Sequence, residues 1–138
     1  MKRIAVFGTF DFFHPGHEHF FKQAKSLGVY LLVVVARDTF VNKAKGRPPK
    51  KNEKYRLKSV KNSVNSDKAL LGSKTHNFYR TLRTYKIDTI ALGYDQKPSI
   101  RELKKNLIRH RLRNIKVVRL KSYKPNIYKS SLYRNKKY

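Results

Sequence analysis

The segment from Val29 to Ala36, VYLLVVVA, constrains the fold of this chain more than any other. It is apolar throughout and rich in β-branched residues, with no alternation of apolar and polar positions. A strand with one face in water would alternate, so an unbroken run indicates a strand that is covered on both faces, as in a parallel sheet. Ile4 to Phe7 form a shorter run of the same kind. The chain is therefore predicted to contain a parallel sheet.

Helical spacing separates these apolar runs. Phe20, Phe21, Ala24 and Leu27 recur at the interval of one helix face, and Gly28 follows as the expected stop. The Lys-rich, Pro-containing segment from 37 to 51 is predicted to be a surface loop. Strands alternating with helices predict an α/β fold with a five-stranded parallel sheet. The remaining predicted elements are a helix over 52–64, a strand over 69–71, a helix around 78–85, a strand over 87–92, a helix over 99–112 and a strand over 115–120.

Length and charge limit the classes of protein to consider. At 138 residues the chain is expected to form one domain over residues 1–138. Its 34 Lys and Arg against 8 Asp and Glu give a net charge of +26, which attracts polyanions. The basic residues are spread along the whole chain, however, and a codon bias toward Lys, Asn and Tyr would give the same composition. We therefore expect nucleic acid to bind at most non-specifically.

Cysteine content and the N-terminus bear on location. The chain has no cysteine, which excludes disulfides and thiolate zinc sites and is compatible with a reducing cytoplasm. The first apolar run is too short to span a membrane and lacks a small-residue cleavage site. We expect a cytoplasmic protein without a membrane partner.

The stretch GTFDFFHPGHEHFF, residues 8–21, is predicted to join the first strand to the first helix. In parallel sheets this edge, at the carboxyl ends of the strands, is where ligands bind. Pro15 suits the first helical position and restrains His14 to an extended conformation, while Gly8 allows close approach to the backbone. His17 lies one turn from His14. The two imidazoles and the amides and dipole of the helix N-terminus are predicted to bind a phosphate.

Two other interpretations of these histidines are possible. They could cap a turn or support the core, which is the usual role of a single histidine. A zinc site could use His14, His17 and His19, but His19 is predicted to point away from the other two, and no cysteine or nearby carboxylate cluster completes a tetrahedral set. The phosphate-binding interpretation is preferred, because it accounts for the whole stretch.

Residues 8–17 carry the pattern G-T-F-D-x-x-H-x-G-H, and the chain thereby resembles the cytidylyltransferase-like nucleotidyltransferases. The resemblance implies a Rossmann-like, three-layer fold. Further segments resemble the family as well: VARD at 35–38, preceded by Val34, EKYR at 53–56, DKALLGS at 67–73, ALGYDQ at 91–96 and YKSS at 128–131. These motifs are most similar to those of the archaeal-type FAD synthases of that family, which adenylylate FMN. Lys129 and Leu132 depart from the family pattern near the C-terminus.

The resemblance also implies roles for individual residues. His14 and His17 would be catalytic and stabilise the transition state, Asp11 would help to hold Mg²⁺, and Ser130 with Ser131 would bind the β- and γ-phosphates or cap the last helix. Residues 43–51 form either a mobile lid over the acceptor or a solvated loop. Acceptor-binding residues would be Asp38, Lys45 and Arg56. Nucleotide-binding residues would be Gly8, Thr9, Phe10, His14, Pro15, Gly16, His17, Gly93, Asp95, Tyr123, Ser130 and Ser131.

The implied reaction transfers AMP from ATP to FMN, which produces FAD and releases pyrophosphate. It would require Mg²⁺ or another divalent cation. ATP and FMN would be the partners of the chain, and a homodimer is a possible assembly, since dimers are common in this family. One alternative within the family is a CTP-dependent enzyme acting on glycerol 3-phosphate or another small phosphorylated alcohol. An alternative from a different class is a nucleic-acid-binding protein on the same fold, which the charge of +26 favours. Such a module would not need His14, His17 or Asp11.

Overall fold

Strands and helices alternate along the chain as predicted. A computed structural model of the protein describes residues 2–74, 77–94, 96 and 99–121. The five predicted strands and the predicted helices are confirmed, with boundaries within a few residues of those expected. The elements are β1 (Arg3–Gly8), α1 (Pro15–Ser26), β2 (Tyr30–Val35), α2 (Asp38–Lys45), α3 (Glu53–Lys61), β3 (Lys68–Leu71), α4 (Phe78–Thr84), β4 (Thr89–Leu92), α5 (Ile100–Arg109) and β5 (Lys116–Arg119).

The five strands form one parallel sheet in the order β3-β2-β1-β4-β5. β1 pairs with β2 along its whole length, from Arg3 opposite Tyr30 to Gly8 opposite Val35. Its pairing with β4 is shorter and involves only Ile4 and Ala5. The chain runs outward from β1 to β3 on one side and continues from β4 to β5 on the other. The gap between the ends of β1 and β4 is therefore the topological switch point, where ligands bind in sheets of this type.

Helices cover both faces of the sheet and give three layers. Ile4 and Val6 of β1 face the core that includes Phe21 of α1, whereas Ala5 faces the opposite core, with Leu103 of α5. Phe21 has no exposed surface, so its replacement by Ala would cost about 3–5 kcal/mol. Within the described part of the chain, no helix is long and apolar enough to cross a membrane.

The prediction of a loop over the whole of residues 37–51 was wrong, because α2 occupies its first half. Only Val41 of this helix is buried and Phe40 is largely exposed, so the sequence shows no apolar stripe. Gly46 ends the helix in the left-handed conformation, with φ of 73°, and donates its N–H to Asn42 O. The sequence therefore indicates the end of this helix, at Gly46, but shows no hydrophobic periodicity along it.

Candidate active site

The β1–α1 connection holds its backbone in an unusual conformation. Phe10 has φ of 54°, in the left-handed region, which costs a non-glycine residue about 1–2 kcal/mol. Its ring is buried and lies edge-on to Phe21, at 5.3 Å between ring centroids. A Cβ added to Gly8 would lie 3.0 Å from the Phe10 ring. Gly8 was predicted to allow a ligand to approach the backbone. In this structure the space beside its Cα is occupied by the Phe10 ring.

His14 and His17 cap helix α1 reciprocally. His14 precedes the helix in an extended conformation, and its Nδ1 accepts from Gly16 N at 3.1 Å. His17 Nδ1 in turn accepts from His14 N at 3.3 Å. Because both Nδ1 atoms accept, the hydrogen-bond network assigns the proton of each neutral ring to Nε2. Each Nε2–H is thus the donor that the ring can offer to a phosphate oxygen.

The first-turn amides of α1 are already paired, which corrects the prediction that they are open to an anion. Gly16 N donates to the His14 side chain, and His17 N donates to His14 O at 2.9 Å. Glu18 N also donates to His14 O, at 3.3 Å, while Pro15 has no N–H. The positive end of the helix dipole remains at this site. Besides this dipole, the site contains the two imidazole rings, whose Nδ1 atoms accept the capping bonds.

The two imidazoles are stacked and neutral. Their centroids lie 3.8 Å apart with an angle of 24° between the ring planes, and Phe13 stacks near His17 at 5.5 Å. Burial lowers the pKa of His14 from 6.5 to about 4. Burial, and secondarily the charge of His14, lowers the pKa of His17 to about 3. Without a ligand both rings are uncharged at neutral pH, and a nearby polyanion would raise both pKa values.

Arg56 is fully buried below the site rather than exposed within it. Its Nη1 donates to Thr9 O at 2.8 Å and to Ala36 O at 2.7 Å, which joins the ends of β1 and β2. Its Nε donates to Lys51 O at 2.9 Å, and its Nη2 to Asp38 Oδ1 at 2.7 Å. Arg56 was predicted to bind the acceptor, but its side chain has no surface exposed to a ligand. The arginine holds together the backbone segments that surround the site.

Asp11 binds the segment that follows α2. Its Oδ2 accepts from Lys50 N and its Oδ1 from Lys51 N, both at 2.8 Å, and the residue is 4% exposed. Asp11 was predicted to help to hold Mg²⁺; in this structure each of its carboxylate oxygens accepts one backbone amide. Among the described residues, no group of three or more His, Asp or Glu side chains could hold a metal. These bonds join the last two residues of the 43–51 segment to the β1–α1 connection.

The predicted acceptor residues Asp38 and Lys45 lie at the edge of the site. Asp38 N donates to Glu53 Oε1 at 2.9 Å, and Glu53 N donates to Asp38 Oδ2 at 3.2 Å, so α2 and α3 cap each other. Arg37 Nη1 is 3.2 Å from Glu53 Oε2. Lys45 Nζ lies 3.4 Å from Thr9 Oγ1, at the end of β1. The lysine therefore brings a cation to the predicted phosphate-binding backbone.

An open cavity of about 520 Å³ lies at the N-terminal turn of α1. His14, one member of the histidine pair, lies in its lining. Glu18 in its lining accepts a hydrogen bond from Ser63 Oγ. The remaining lining residues are Phe13, Pro15 and His19. One of the two predicted catalytic residues therefore forms part of the cavity wall.

Gln96 and Arg119 were missed by sequence reasoning, although they secure the segment after β4. Gln96 Oε1 accepts from Gly93 N at 3.0 Å, and Arg119 Nη1 donates to Gly93 O at 2.8 Å. The sequence feature that could have indicated them is position: Gln96 lies just beyond the end of β4, and Arg119 lies at the end of β5. The structure places the predicted residue Gly93 at this point. The predicted site residues Asp95, Tyr123, Ser130 and Ser131 lie outside the described residues.

The fold is that of a Rossmann-like α/β protein, with the histidine pair after β1, next to the switch point of the sheet. The sequence profile of the cytidylyltransferase-like family matches residues 5–136, and the chain belongs to this family. A protein of Aciduliprofundum boonei named FAD synthase is 42% identical over 89% of this chain and 80% of its own length. The FAD synthase of Thermoplasma acidophilum is 38% identical over 99% of this chain and 94% of its own length.

Solved structures share the fold of this chain. A lipopolysaccharide core biosynthesis protein from Thermoplasma volcanium superposes with a TM-score of 0.81 and 36% identity, over 89% of this chain and 98% of that protein. Pantoate-beta-alanine ligase from Francisella tularensis, solved with an ATP analogue and beta-alanine, gives a TM-score of 0.64 at 17% identity, over 99% of this chain and 66% of the ligase. The second likeness concerns the fold alone.

Proposed function

We propose that this protein transfers AMP from ATP to the phosphate of FMN, producing FAD and pyrophosphate. The observation that carries the proposal is the stacked pair of His14 and His17, with both Nε2–H donors at the carboxyl edge of the sheet. The choice of reaction is supported by relatives named FAD synthase that are about as long as this chain. Fold, site chemistry and relatedness thus favour the same activity.

The reaction needs electrostatic stabilisation more than covalent chemistry. An oxygen of the FMN phosphate attacks the α-phosphorus of ATP, a new P–O bond forms, and the bond to the bridging oxygen of the β-phosphate breaks. Negative charge develops on the non-bridging oxygens and on the departing pyrophosphate. We assign His14 and His17 to donate from Nε2 to these oxygens. Because both rings have depressed pKa values, they enter as neutral donors and gain a proton more readily as charge accumulates.

On the acceptor side we retain Lys45 and Asp38 and reassign Arg56. Lys45 would contact a phosphate near Thr9, because its Nζ already lies 3.4 Å from the threonine hydroxyl. Asp38 keeps its place at the edge of the cleft through Arg56. We assign Arg56 a positioning role, since it has no exposed surface. A divalent cation would be bound mainly by the phosphate oxygens of the nucleotide, as Mg²⁺ commonly is.

Four incubations test the proposed reaction. The purified chain is mixed with Mg²⁺ and either ATP or CTP, each with FMN or with glycerol 3-phosphate, and the products are separated by chromatography. FAD should form from ATP and FMN alone, and a His14→Asn/His17→Asn double variant should form at most a trace. Formation of CDP-glycerol without FAD would instead support the alternative CTP-dependent reaction.

A further inference from the structure

β1 and β4 separate before they reach the ligand edge. Their pairing ends at Ala5 opposite Ile90, although β1 continues to Gly8 and β4 to Leu92. Beyond that pair, the side chain of Gln96 joins the two strands. Its Nε2 donates to Phe7 O of β1 at 2.5 Å. A side-chain amide therefore replaces the missing ladder hydrogen bond at the switch point.

The same side chain also shapes the segment that follows β4. Gln96 Oε1 accepts from Gly93 N at 3.0 Å, while Gln96 N donates to Gly93 O at 3.1 Å. Gly93 and Gln96 are thus joined by one backbone bond and one bond through the amide. Because the amide also reaches Phe7, one side chain connects Gly93 directly to β1.

Arg119 holds this segment from the other side. It lies at the end of β5, opposite Leu92 in the sheet register. Its Nη1 donates to Gly93 O at 2.8 Å and to Gln96 O at 2.5 Å. A charged donor strengthens both bonds. Two carbonyls of one turn are thereby fixed to the neighbouring strand.

We propose that Gln96 and Arg119 are positioning residues that set the width of the nucleotide cleft between β1 and the segment after β4. This rests on the proposed function and on the role of Gly93 in binding the nucleotide, which the family resemblance implies. Neither residue needs to touch the nucleotide, because each acts through the backbone of Gly93. Displacement of a binding group by even about 1 Å is enough to weaken binding or catalysis substantially.

Asp88 offers a matched control at the opposite end of the same two strands. Its Oδ2 accepts from Arg3 N at 2.8 Å, just before β4 begins, and so it also joins β4 to β1. Substitution of Asp88 removes a side-chain link between these strands without touching the ligand edge. A purely structural role of Gln96 would make the two substitutions equivalent in their effect on nucleotide binding.

The test measures nucleotide affinity and thermal stability on the full chain. ATP and CTP are titrated calorimetrically into the parent protein and into the Gln96→Ala, Gln96→Glu, Arg119→Met, Arg119→Lys and Asp88→Ala variants. We expect Gln96→Ala, Gln96→Glu and Arg119→Met to raise the Kd of the preferred nucleotide about tenfold, the scale for one lost charged or amide hydrogen bond. Arg119→Lys should recover part of the affinity, and Asp88→Ala should leave the Kd within about twofold while lowering Tm.

Three outcomes would overturn the proposal. One is a parental Kd in folded Gln96→Ala and Arg119→Met variants, and another is an equal loss of affinity in Asp88→Ala. Failure of the parent protein to bind either nucleotide would refute the proposed function itself, which the first two outcomes would leave intact. If Arg119→Met does not fold, Arg119→Lys and Gln96→Glu decide the result, because both keep the size of the side chain.

Discussion

The two edges of the sheet are joined by different kinds of groups. At the amino edge, partly exposed carboxylates accept backbone amides: Asp67 accepts from Leu31 N, and Asp88 accepts from Arg3 N. At the carboxyl edge, Arg56 has no exposed surface and Asp11 has 4%, and both bind backbone from distant segments. Burying polar groups is costly unless their hydrogen bonds are satisfied. The carboxyl edge, where the candidate site lies, therefore depends more strongly on keeping its hydrogen bonds intact.

Asp67 and Arg56 illustrate the difference. Burial tends to raise the pKa of Asp67, but hydrogen bonds from Lys25 and Leu31 N outweigh it and lower the pKa overall. That ion pair is about one-third exposed, so it contributes little to stability. Arg56 makes four hydrogen bonds and cannot exchange them for water. Ion pairs at the amino edge can be lost singly, whereas those at the carboxyl edge hold several segments at once.

The largest expected effect follows from removing Arg56. Arg56→Met should lower the free energy of unfolding by about 3 kcal/mol, because three backbone carbonyl groups and the Asp38 carboxylate lose their fully buried partner. Asp67→Asn, the control at the amino edge, should cost less than about 1 kcal/mol. Urea unfolding of both variants measures the difference. Equal losses would remove the distinction between the two edges.

The next effect concerns the histidine pair. Each of His14→Asn and His17→Asn should lower kcat for FAD formation by about 10²-fold, the scale for one preorganised donor to a developing oxyanion. His110→Asn is the matched control, since His110 also stacks on an aromatic ring, that of Tyr79, but lies after α5. A variant lacking both imidazoles that kept the parental kcat would show that the pair is structural.

A smaller effect is expected at the segment that Asp11 holds. Asp11→Ala frees the amides of Lys50 and Lys51, so trypsin should cleave after these lysines about tenfold faster than in the parent protein. Asp67→Ala should leave this cleavage unchanged. If the Asp11 variant is cleaved at the parental rate but requires more Mg²⁺ for activity, the result would support the predicted metal-binding role of Asp11.

A further effect is a pH dependence of stability. The unfolded chain binds protons at its histidines near pH 6.5, whereas the folded chain does so only near pH 4 at His14 and pH 3 at His17. The unfolded state therefore binds more protons between these values, and stability is lost as pH falls from about 6.5 toward 4. The slope of unfolding free energy against pH in this window should be shallower in His14→Asn/His17→Asn. Parallel slopes would contradict the depressed pKa values.

Much of the sheet could be predicted because burial on both faces leaves a direct mark on sequence. Val29 to Ala36 and the Pro15 helix start are local signals, and the structure confirms the strand and the helix N-terminus. The position of Arg56 could not be predicted in this way, because arginine is normally exposed and its burial depends on three segments meeting. Asp11 likewise binds amides 39 and 40 residues further along the chain. Contacts of this range have no local sequence pattern.

The central claim is that His14 and His17 lie against the nucleotide phosphates, and proton uptake on ATP binding tests it most directly. Their pKa values of about 4 and 3 in the free protein must rise when a polyanion binds beside them. Calorimetric titration with ATP at pH 6, in buffers of different ionisation enthalpy, should show net proton uptake by the parent protein. The uptake should disappear in His14→Asn/His17→Asn and persist in His110→Asn. Equal uptake in the parent and the double variant would contradict the placement of the phosphates at this pair.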